Sequence, residues 1–353
     1  MTGRIDTAAS VTLTGALSFL EKGGKKHVCY NIYIMKKNCW QKLNRPILAL
    51  APMAGITDSS FRLLCKKFGA DIVYTEMVSA AGLCYGGQKT LSYLKFNKKE
   101  QPVILQLFGS KPEQFAKAAQ IVEQAGFTGI DINFGCPAKK VVQNESGATL
   151  MNNLDKAYKI IEATCNATSL PVSIKMRNSK GTTTAYDFVN KVKDLPIAAI
   201  MIHGRSFEQG FSGDASWDQI KKVRKIYKGI LLANGGIYSP QAARQVISKL
   251  DIDGLGLAQG VQGRPWLFKE IKDLLKKETW SLSRDRVSSY DWPKIKKIIL
   301  EHAKLTMKGK NNLIEMRKHL LWYVKNQPNA KELRQKLVKV ETISDLKLIL
   351  KNS

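Results

Sequence analysis

The residues from Gly129 to Pro137 read Gly-Ile-Asp-Ile-Asn-Phe-Gly-Cys-Pro, and this stretch carries the clearest signal of the fold. Ile130 and Ile132 alternate with polar residues as in a β-strand, and the glycine and proline around Cys136 end regular strand pairing. The pattern predicts a strand with a thiol at its C-terminal end. Parallel barrels and sheets build their active sites at that end, so Cys136 is a candidate for chemistry. The alternative is a buried structural cysteine beside a turn.

Seven further apolar runs share this character and alternate with helical patterns, which indicates βα units and a parallel sheet. The eight predicted strands are Ile47 to Leu50, Ile72 to Thr75, Val103 to Leu107, Gly129 to Asn133, Val172 to Met176, Ala199 to His203, Ile230 to Asn234 and Gly254 to Leu257. Two of the helices between them have clear start signals: Pro112 to Ala125, with Ser110 as the N-cap, and Ser239 to Lys249, with Pro240 in the first turn.

This order predicts an α/β fold, a (β/α)8 TIM barrel, over residues 35–278. A doubly wound sheet is the alternative. It would carry a Gly-x-Gly-x-x-Gly motif after the first strand, where the chain has Ala51-Pro-Met-Ala-Gly-Ile56.

The two ends of the chain differ from this pattern. Residues 1–34 have no sustained period, and we predict that they are a disordered or non-native N-terminal extension. Residues 279–291 are predicted to be a linker, and residues 292–353 repeat apolar residues at helical spacing in four segments. The C-terminal part is therefore predicted to be a small all-α domain.

The charge balance points to a polyanionic partner. The chain has 56 Lys and Arg against 29 Asp and Glu, a formal net charge of +27, and such a balance favours nucleic acid over a role in solubility alone. From Pro265 to Ser353 there are 21 Lys and Arg against 10 Asp and Glu. The cations of the helical segment available for phosphate contacts are Lys294, Lys297, Lys304, Lys308, Arg317 and Lys318.

Cysteine spacing and hydropathy bear on the compartment. The six cysteines form no Cys-x-x-Cys pair, so neither a zinc site nor a disulfide framework is indicated. No run approaches the length of a membrane span, and no clean signal-peptide cleavage site follows the N-terminus. We therefore expect a cytoplasmic protein without a metal or a membrane anchor.

Polar residues lie at the C-terminal ends of five predicted strands, where a barrel would collect them at one mouth: Gln106, Asn133, Lys175, His203 and Asn234. A lysine on an otherwise apolar strand is costly to bury unless it meets an anion. The turn Asn234-Gly235-Gly236 precedes a helix, so its backbone N–H groups could approach a phosphate. Each residue alone could be a hydrogen-bonded core residue; the set of five indicates a site.

These motifs resemble the tRNA-dihydrouridine synthases, and the helical segment resembles the bacterial type-B subgroup of that family. The matching stretches are Ala51 to Asp58, Tyr74 to Ala80, Asp131 to Pro137, Ile174 to Arg177, Ile202 to Arg205, Asn234 to Ile237 and Gly263 to Phe268, with Arg317, His319, Trp322 and Tyr323 in the helical segment. The resemblance implies a barrel that carries FMN, an RNA-binding helical domain, NADPH as electron donor, and reduction of uridine to 5,6-dihydrouridine in tRNA by a monomer.

The resemblance also implies residue roles. Cys136 would be the general acid. The cofactor-binding residues would be Pro52, Met53, Gln106, Lys175, His203, Asn234, Gly235, Gly236, Ala258 and Gln259, and the substrate-binding residues Asn133, Arg205, Lys140 and Arg317. In two places the chain departs from the family: Gln259 stands where relatives commonly have an arginine beside the phosphate, and Phe207 and Ser216 stand where they often have Arg and Asp.

The residue types suit this chemistry. Reducing the uracil C5=C6 bond takes a hydride to C6, which no side chain can supply, and a proton to C5, which a thiol can donate because it is mostly protonated at neutral pH. A flavin dehydrogenase acting on a small molecule, as dihydroorotate dehydrogenases do, would use the same barrel but has no need of the net charge. A non-catalytic RNA-binding protein has no need of Cys136, Lys175 and His203 at one mouth.

Overall fold

In a computed structural model of the chain, the structure describes residues 38–276, 290–325 and 327–353, together with the backbone of residues 17–22 and 25–30. The two N-terminal segments, Leu17–Lys22 and Lys25–Tyr30, pair antiparallel within one compact unit, residues 1–37, and residues 38–353 form a second unit. The remainder of the predicted N-terminal extension and nearly all of the predicted linker lie outside the described residues. Their assignments stay predictions.

Eight parallel strands form a closed barrel. They are β1 (Ile47–Leu50), β2 (Ile72–Ser79), β3 (Val103–Phe108), β4 (Gly129–Phe134), β5 (Val172–Arg177), β6 (Ile197–His203), β7 (Ile230–Asn234) and β8 (Gly254–Leu257). The last strand pairs with the first, with Gly254 opposite Ile47 and Leu257 opposite Leu50. This closure confirms the predicted barrel, because a doubly wound sheet would keep two free edges.

Helices follow the strands around the outside. They are α1 (Ser59–Lys67), α2 (Ala80–Cys84), α3 (Gln88–Leu91), α4 (Pro112–Gln124), α5 (Lys139–Gln143), α6 (Leu154–Ala167), α7 (Ala185–Val192), α8 (Asp218–Ile226), α9 (Pro240–Lys249) and α10 (Leu267–Leu275). Pro240 lies in the first turn of α9 as predicted, and Ser239 is the N-cap, accepting a hydrogen bond from the Ala242 N–H. The predicted cap of α4 is wrong: Lys111 is the N-cap, one residue after Ser110, because the helix begins at Pro112 itself.

Strand alternation separates two cores. On β4, Ile130, Ile132 and Phe134 belong to the larger cluster between strands and helices, whereas Asp131 and Asn133, on the opposite face, point into the barrel. A smaller cluster fills the barrel interior, and its largest member is the fully buried Trp40, from the short 3-10 helix Cys39–Lys42 that precedes β1. Trp40 precedes the first strand and so fills the N-terminal end of the barrel, whereas Asn133 on the inner face of β4 lies at the open, C-terminal end.

The second strand extends beyond its predicted end at Thr75, and the pairing register with β3 shifts between Tyr74 and Met77. At this irregularity the Thr75 hydroxyl accepts a hydrogen bond from the Gln106 N–H at 3.2 Å and donates to the Glu76 carbonyl at 2.7 Å. The Thr75 side chain thus accepts from a backbone N–H group, that of Gln106, which the bulge leaves without a partner in the neighbouring strand.

Four further helices make the C-terminal domain: α11 (Trp292–Met307), α12 (Arg317–Tyr323), α13 (Ala330–Leu337) and α14 (Ile343–Lys351). The predicted number of helices is confirmed for the described part of residues 290–353. Helix α11 packs against α14 and against α1 of the barrel. No helix in the described ranges is long and apolar enough to cross a bilayer.

A buried polar cluster joins α1 to this domain. His302 on α11 pairs through Nδ1 with the Tyr323 hydroxyl at 3.2 Å and through Nε2 with the Ser60 hydroxyl at 3.3 Å. Asp58 caps α1 beside it, accepting from the Phe61 N–H at 2.9 Å. The ligand-type atoms of Asp58, His302 and His319 all lie within 4.8 Å of one another. Both ring nitrogens of His302 therefore have hydrogen-bond partners, whereas neither ring nitrogen of the buried His319 has one among the described residues. We interpret the cluster as a polar junction between the barrel and the helical domain.

Candidate active site

The C-terminal ends of the barrel strands surround a cavity of about 480 Å³, a size usual for cofactor and small-molecule sites. Thirteen of the residues singled out in the sequence line it: Pro52, Met53, Gln106, Asn133, Cys136, Lys175, His203, Arg205, Asn234, Gly235, Gly236, Ala258 and Gln259. The strand ends therefore bring together side chains that are up to about 200 residues apart in the chain.

Two of the predicted substrate-binding residues lie away from this cavity. Lys140 is exposed on α5. Arg317 is held within the helical domain, where its Nε donates to the Val340 carbonyl at 2.9 Å and its Nη2 pairs with Glu341 at 3.1 Å. Both remain candidates for contacts outside the cavity.

In the turn that carries Cys136, both the backbone N–H and the carbonyl of this residue are hydrogen-bonded. Asn133 Oδ1 accepts hydrogen bonds from the N–H groups of Gly135 at 3.0 Å and Cys136 at 2.9 Å. The Cys136 carbonyl accepts from the Ala148 N–H at 3.2 Å. Gly147 next to it has a φ of 63°, and a Cβ there would come within 3.3 Å of the Cys136 Cβ. A glycine is needed for the loop to pack so closely, and the half-buried thiol is thereby fixed at the cavity wall.

Below this turn lies a series of side-chain hydrogen bonds. Asn133 Nδ2 donates to Gln106 Oε1 at 2.9 Å, and Gln106 Nε2 donates to Asp131 Oδ2 at 2.7 Å. The Ser173 hydroxyl donates to the other oxygen of Asp131 at 2.7 Å. Burial raises the pKa of Asp131 to about 6, although the hydrogen bonds from Gln106 and Ser173 and the charge of Lys175 oppose this rise. Beneath the cavity, both oxygens of this buried carboxylate therefore accept a hydrogen bond.

Three cations are concentrated on the β5 and β6 side of the cavity: Lys175, Arg177 and Arg205. Burial, with the nearby charge of Arg177, lowers the pKa of Lys175 to about 8, so its ammonium remains mostly protonated at neutral pH. Arg177 donates to the carbonyls of Gly135, Ser206 and Gly210 at 2.7 to 2.9 Å. This arrangement creates a positive, partly desolvated wall that favours an anionic ligand.

His203 is neutral at physiological pH. Burial and the charges of Lys175, Arg177 and Arg205 lower its pKa to about 2. Its Nε2 lies 3.4 Å from Arg205 Nη1. Because a guanidinium can only donate, Nε2 is the acceptor and the proton of the neutral ring lies on Nδ1. Arg205 is itself buried, with its Nε donating to the Gly213 carbonyl at 2.8 Å.

The turn after β7 and the short helix after β8 form one corner of the cavity. Gly235 and Gly236 have φ values of 102° and 69°, and a Cβ on Gly235 would lie 2.4 Å from the His203 ring. Two consecutive left-handed residues without side chains leave a small concave surface of backbone, of the kind that receives phosphate groups. From the β8 side, Gln259 Oε1 accepts from the Tyr238 hydroxyl at 2.8 Å.

Sequence reasoning gave no role to three residues of the site: Asp131, Arg177 and Phe211. Arg177 lies two residues after Lys175 on β5, so the period of a strand placed both on the inner face and could have revealed it. The same period pairs Asp131 with Asn133. Phe211 is 61% exposed at the cavity rim, with the Arg177 guanidinium 5.6 Å from its ring centre. It lies in a loop without periodicity, so no local signal could have identified it.

Comparison with solved structures shows the barrel fold. Histamine dehydrogenase from Rhizobium sp. 4-9 aligns with a TM-score of 0.51 at 12% identity, covering 73% of this chain and 48% of that one. A 2-naphthoyl-CoA reductase aligns with a TM-score of 0.51 at 13% identity, covering 64% of this chain and 50% of the other. At identities this low, the likeness shows a shared fold and gives no information about activity.

Sequence comparison is more specific. The family model for dihydrouridine synthase (Dus) matches residues 49–352. The chain is 33% identical over 306 residues to tRNA-dihydrouridine synthase B of Xanthomonas campestris pv. campestris, covering 84% of this chain and 89% of the relative. It is 34% identical to tRNA-dihydrouridine synthase B of Pseudomonas aeruginosa, covering 81% and 86%, and 36% identical to a probable tRNA-dihydrouridine synthase of Rickettsia conorii, covering 81% and 87%. The chain therefore belongs to the dihydrouridine synthase family.

Proposed function

We propose that this protein reduces uridine to 5,6-dihydrouridine in tRNA, with FMN in the barrel cavity and NADPH as the electron donor. The observation that carries the proposal is that Cys136 and Asn133 share one cavity with Lys175, His203 and the Gly235–Gly236 turn. The names of the relatives support tRNA as the substrate. The cytoplasmic location, the monomeric state and the use of NADPH as electron donor are part of the proposal.

The residues of the cavity fit FMN. The backbone at Gly235 and Gly236 would hold the phosphate, where bare N–H groups replace a side chain. Pro52, Met53 and Gln106 would line the ring, and the Lys175 ammonium would neutralise negative charge on it. At the phosphate, Gln259 offers only a neutral amide, already hydrogen-bonded to Tyr238, so we expect weaker retention than an arginine would give. When bound, FMN would supply the hydride that reaches uracil C6.

Cys136 would donate the proton that C5 receives in the same reduction. Its turn is anchored through Asn133, Ala148 and the closely packed Gly147, and such anchoring keeps the thiol at a constant distance from a base in the cavity. The second hydrogen of the Asn133 amide, beyond the one given to Gln106, is available to a uracil carbonyl. The thiolate left behind lies close to the positive charges of Lys175 and Arg177, which would stabilise it until it is reprotonated.

The RNA itself would bind outside the cavity. A base within a folded RNA cannot reach the cavity floor, so the target nucleotide must be extruded into the mouth, past the exposed ring of Phe211. The phosphates would be held by basic residues of the rim and of the helical domain, with Lys140 and Arg317 as candidates, and the net charge of +27 supplies the long-range attraction.

The two halves of the catalytic cycle test this proposal separately. Protein reconstituted with FMN is first reduced by NADPH, and the reduced protein is then mixed with unmodified tRNA while flavin reoxidation is followed by stopped-flow absorbance. For Cys136→Ala we expect unchanged reduction by NADPH and reoxidation by tRNA slowed by about 10² to 10⁴, the usual contribution of a positioned general acid. Cys136→Ser should be nearly as slow, because a hydroxyl is a much weaker acid than a thiol.

A structural cysteine predicts another outcome: both substitutions would lower stability and flavin content together without a selective effect on the tRNA step. Reoxidation at the wild-type rate in both variants would disprove the role of Cys136. A free pyrimidine reduced as rapidly as tRNA would instead favour a small-molecule dehydrogenase. Failure to bind any FMN on reconstitution would contradict the flavin part of the proposal.

A further inference from the structure

The hydrogen bonds beneath Cys136 define the direction of two amides that could otherwise point either way. A carboxylate can only accept hydrogen bonds, so the Gln106 atom 2.7 Å from Asp131 must be the amide nitrogen. The amide oxygen of Gln106 then faces Asn133, which must present its own nitrogen at 2.9 Å. That leaves Asn133 Oδ1 directed at the N–H groups of Gly135 and Cys136.

The other end of the series imposes the same direction independently. Backbone N–H groups can only donate, so the Asn133 atom that faces Gly135 and Cys136 must be its oxygen. The carboxylate at one end and two N–H groups at the other are thus compatible with a single arrangement of the amides between them. Reversing either amide would place two donors or two acceptors in contact inside a buried region, which is costly.

We propose that Asp131 is a positioning residue for the reaction, because its carboxylate fixes the Gln106 and Asn133 amides and through them the backbone turn that carries the Cys136 thiol. The inference rests on the proposed function for its catalytic consequence, since the thiol matters only if it donates the proton. Asp131 itself is fully buried and does not line the cavity. It therefore acts through its neighbours and does not touch the substrate.

The environment of Asp131 suits this role. The second carboxylate oxygen accepts from the Ser173 hydroxyl on β5 at 2.7 Å, so each oxygen of the carboxylate has its own donor. The titratable groups that face it are Lys175 and Tyr74, and the charge of Lys175 favours the ionised form. Burial raises the pKa of Asp131 to about 6. As the pH falls through that value, the carboxylate would become protonated and could then donate as well as accept hydrogen bonds.

Two substitutions separate orientation from charge. Asp131→Asn removes the charge but keeps the arrangement, because its oxygen can accept from Gln106 while its nitrogen donates to the Ser173 hydroxyl. Asp131→Ala removes both and leaves the Gln106 nitrogen without a partner. Ser173→Ala is the matched control, since it deletes the other hydrogen bond to the same carboxylate and leaves the amide series intact.

The first measurement is reoxidation of the reduced flavin by tRNA in these variants. We expect Asp131→Ala to slow this step at least tenfold at unchanged FMN content, and Asp131→Asn and Ser173→Ala to remain within about threefold of the wild type. If Asp131→Asn is as slow as Asp131→Ala, the charge of Asp131 matters and its orienting role is overturned. Cys136→Ala is measured in parallel, so that failure of the proposed function is recognised separately.

The second measurement does not depend on catalysis. The rate at which iodoacetamide alkylates Cys136 in the folded protein is followed by mass spectrometry of the peptide that contains it. In Asp131→Ala the loosened turn should raise this rate at least threefold, whereas any effect of the lost charge alone should appear equally in Asp131→Asn. Equal rates in the two variants would refute the inference. If Asp131→Ala fails to fold, Gln106→Met breaks the series one residue later and should raise the alkylation rate in the same way.

Discussion

The junction between the barrel and the helical domain should weaken in mild acid, because it buries His302 in neutral form. The ring is fully buried between Ser60 and Tyr323. Burial lowers its pKa from 6.5 to about 4, with the Lys318 charge adding to the fall and Asp58 opposing it. In the unfolded chain the ring would titrate near its ordinary value. Between these two values the unfolded state therefore binds more protons than the folded state, and stability falls as the pH is lowered.

The magnitude follows from the two pKa values. Between about pH 7.5 and about pH 5, a histidine with pKa values of 6.5 unfolded and about 4 folded loses about 2 kcal/mol of folding free energy. His203 and His319, whose pKa values are also lowered by burial, act in the same direction. Asp131 acts in the opposite direction, because its pKa is raised. A comparison between variants is therefore needed to isolate the contribution of His302.

The variant for this comparison is His302→Gln, which keeps a hydrogen-bonding amide but does not titrate. Urea unfolding is followed by circular dichroism across this pH range. We expect the free energy of unfolding of the wild type to fall by about 2 kcal/mol more than that of the variant. Ser60→Ala is the control: it removes a hydrogen bond of the same ring, so its cost should change little with pH. Equal pH dependence of the wild type and His302→Gln would refute the reasoning.

Two further predictions concern the cofactor corner and the N-terminus. Gln259→Arg should tighten FMN binding at least tenfold, since a charge-assisted hydrogen bond to phosphate contributes about 1.5 to 3 kcal/mol; quenching of flavin fluorescence measures the affinity, and an unchanged value would place the phosphate elsewhere. Deleting residues 1–34 should leave the thermal midpoint, FMN content and tRNA activity unchanged, because this part of the sequence lacks the sustained period that would pack it as part of the barrel. Loss of soluble protein on deletion would show that the segment is structural.

The sequence by itself determined most of the barrel. Each strand is marked by local signals, namely a short apolar run and the glycine or polar residue that ends it, and these signals do not depend on distant contacts. Three strands, Ile47–Leu50, Ile230–Asn234 and Gly254–Leu257, have the predicted bounds. The end of the second strand was missed because Thr75 and Glu76 form a bulge whose hydrogen bonds involve Gln106, some thirty residues away.

The same distinction holds for the site. Cys136, Lys175 and His203 could be predicted because a polar residue at the end of an apolar strand is visible within five or six residues of sequence. Only the tertiary structure decided how these residues are held. The amide series from Asp131 through Gln106 to Asn133 joins β3 and β4, Arg177 closes the loop that carries Phe211, and Asp58 meets His302 and His319 across a domain boundary. Hydrogen bonds and burial depend on neighbours in space, which barrel closure and domain packing bring together, and no local pattern records them.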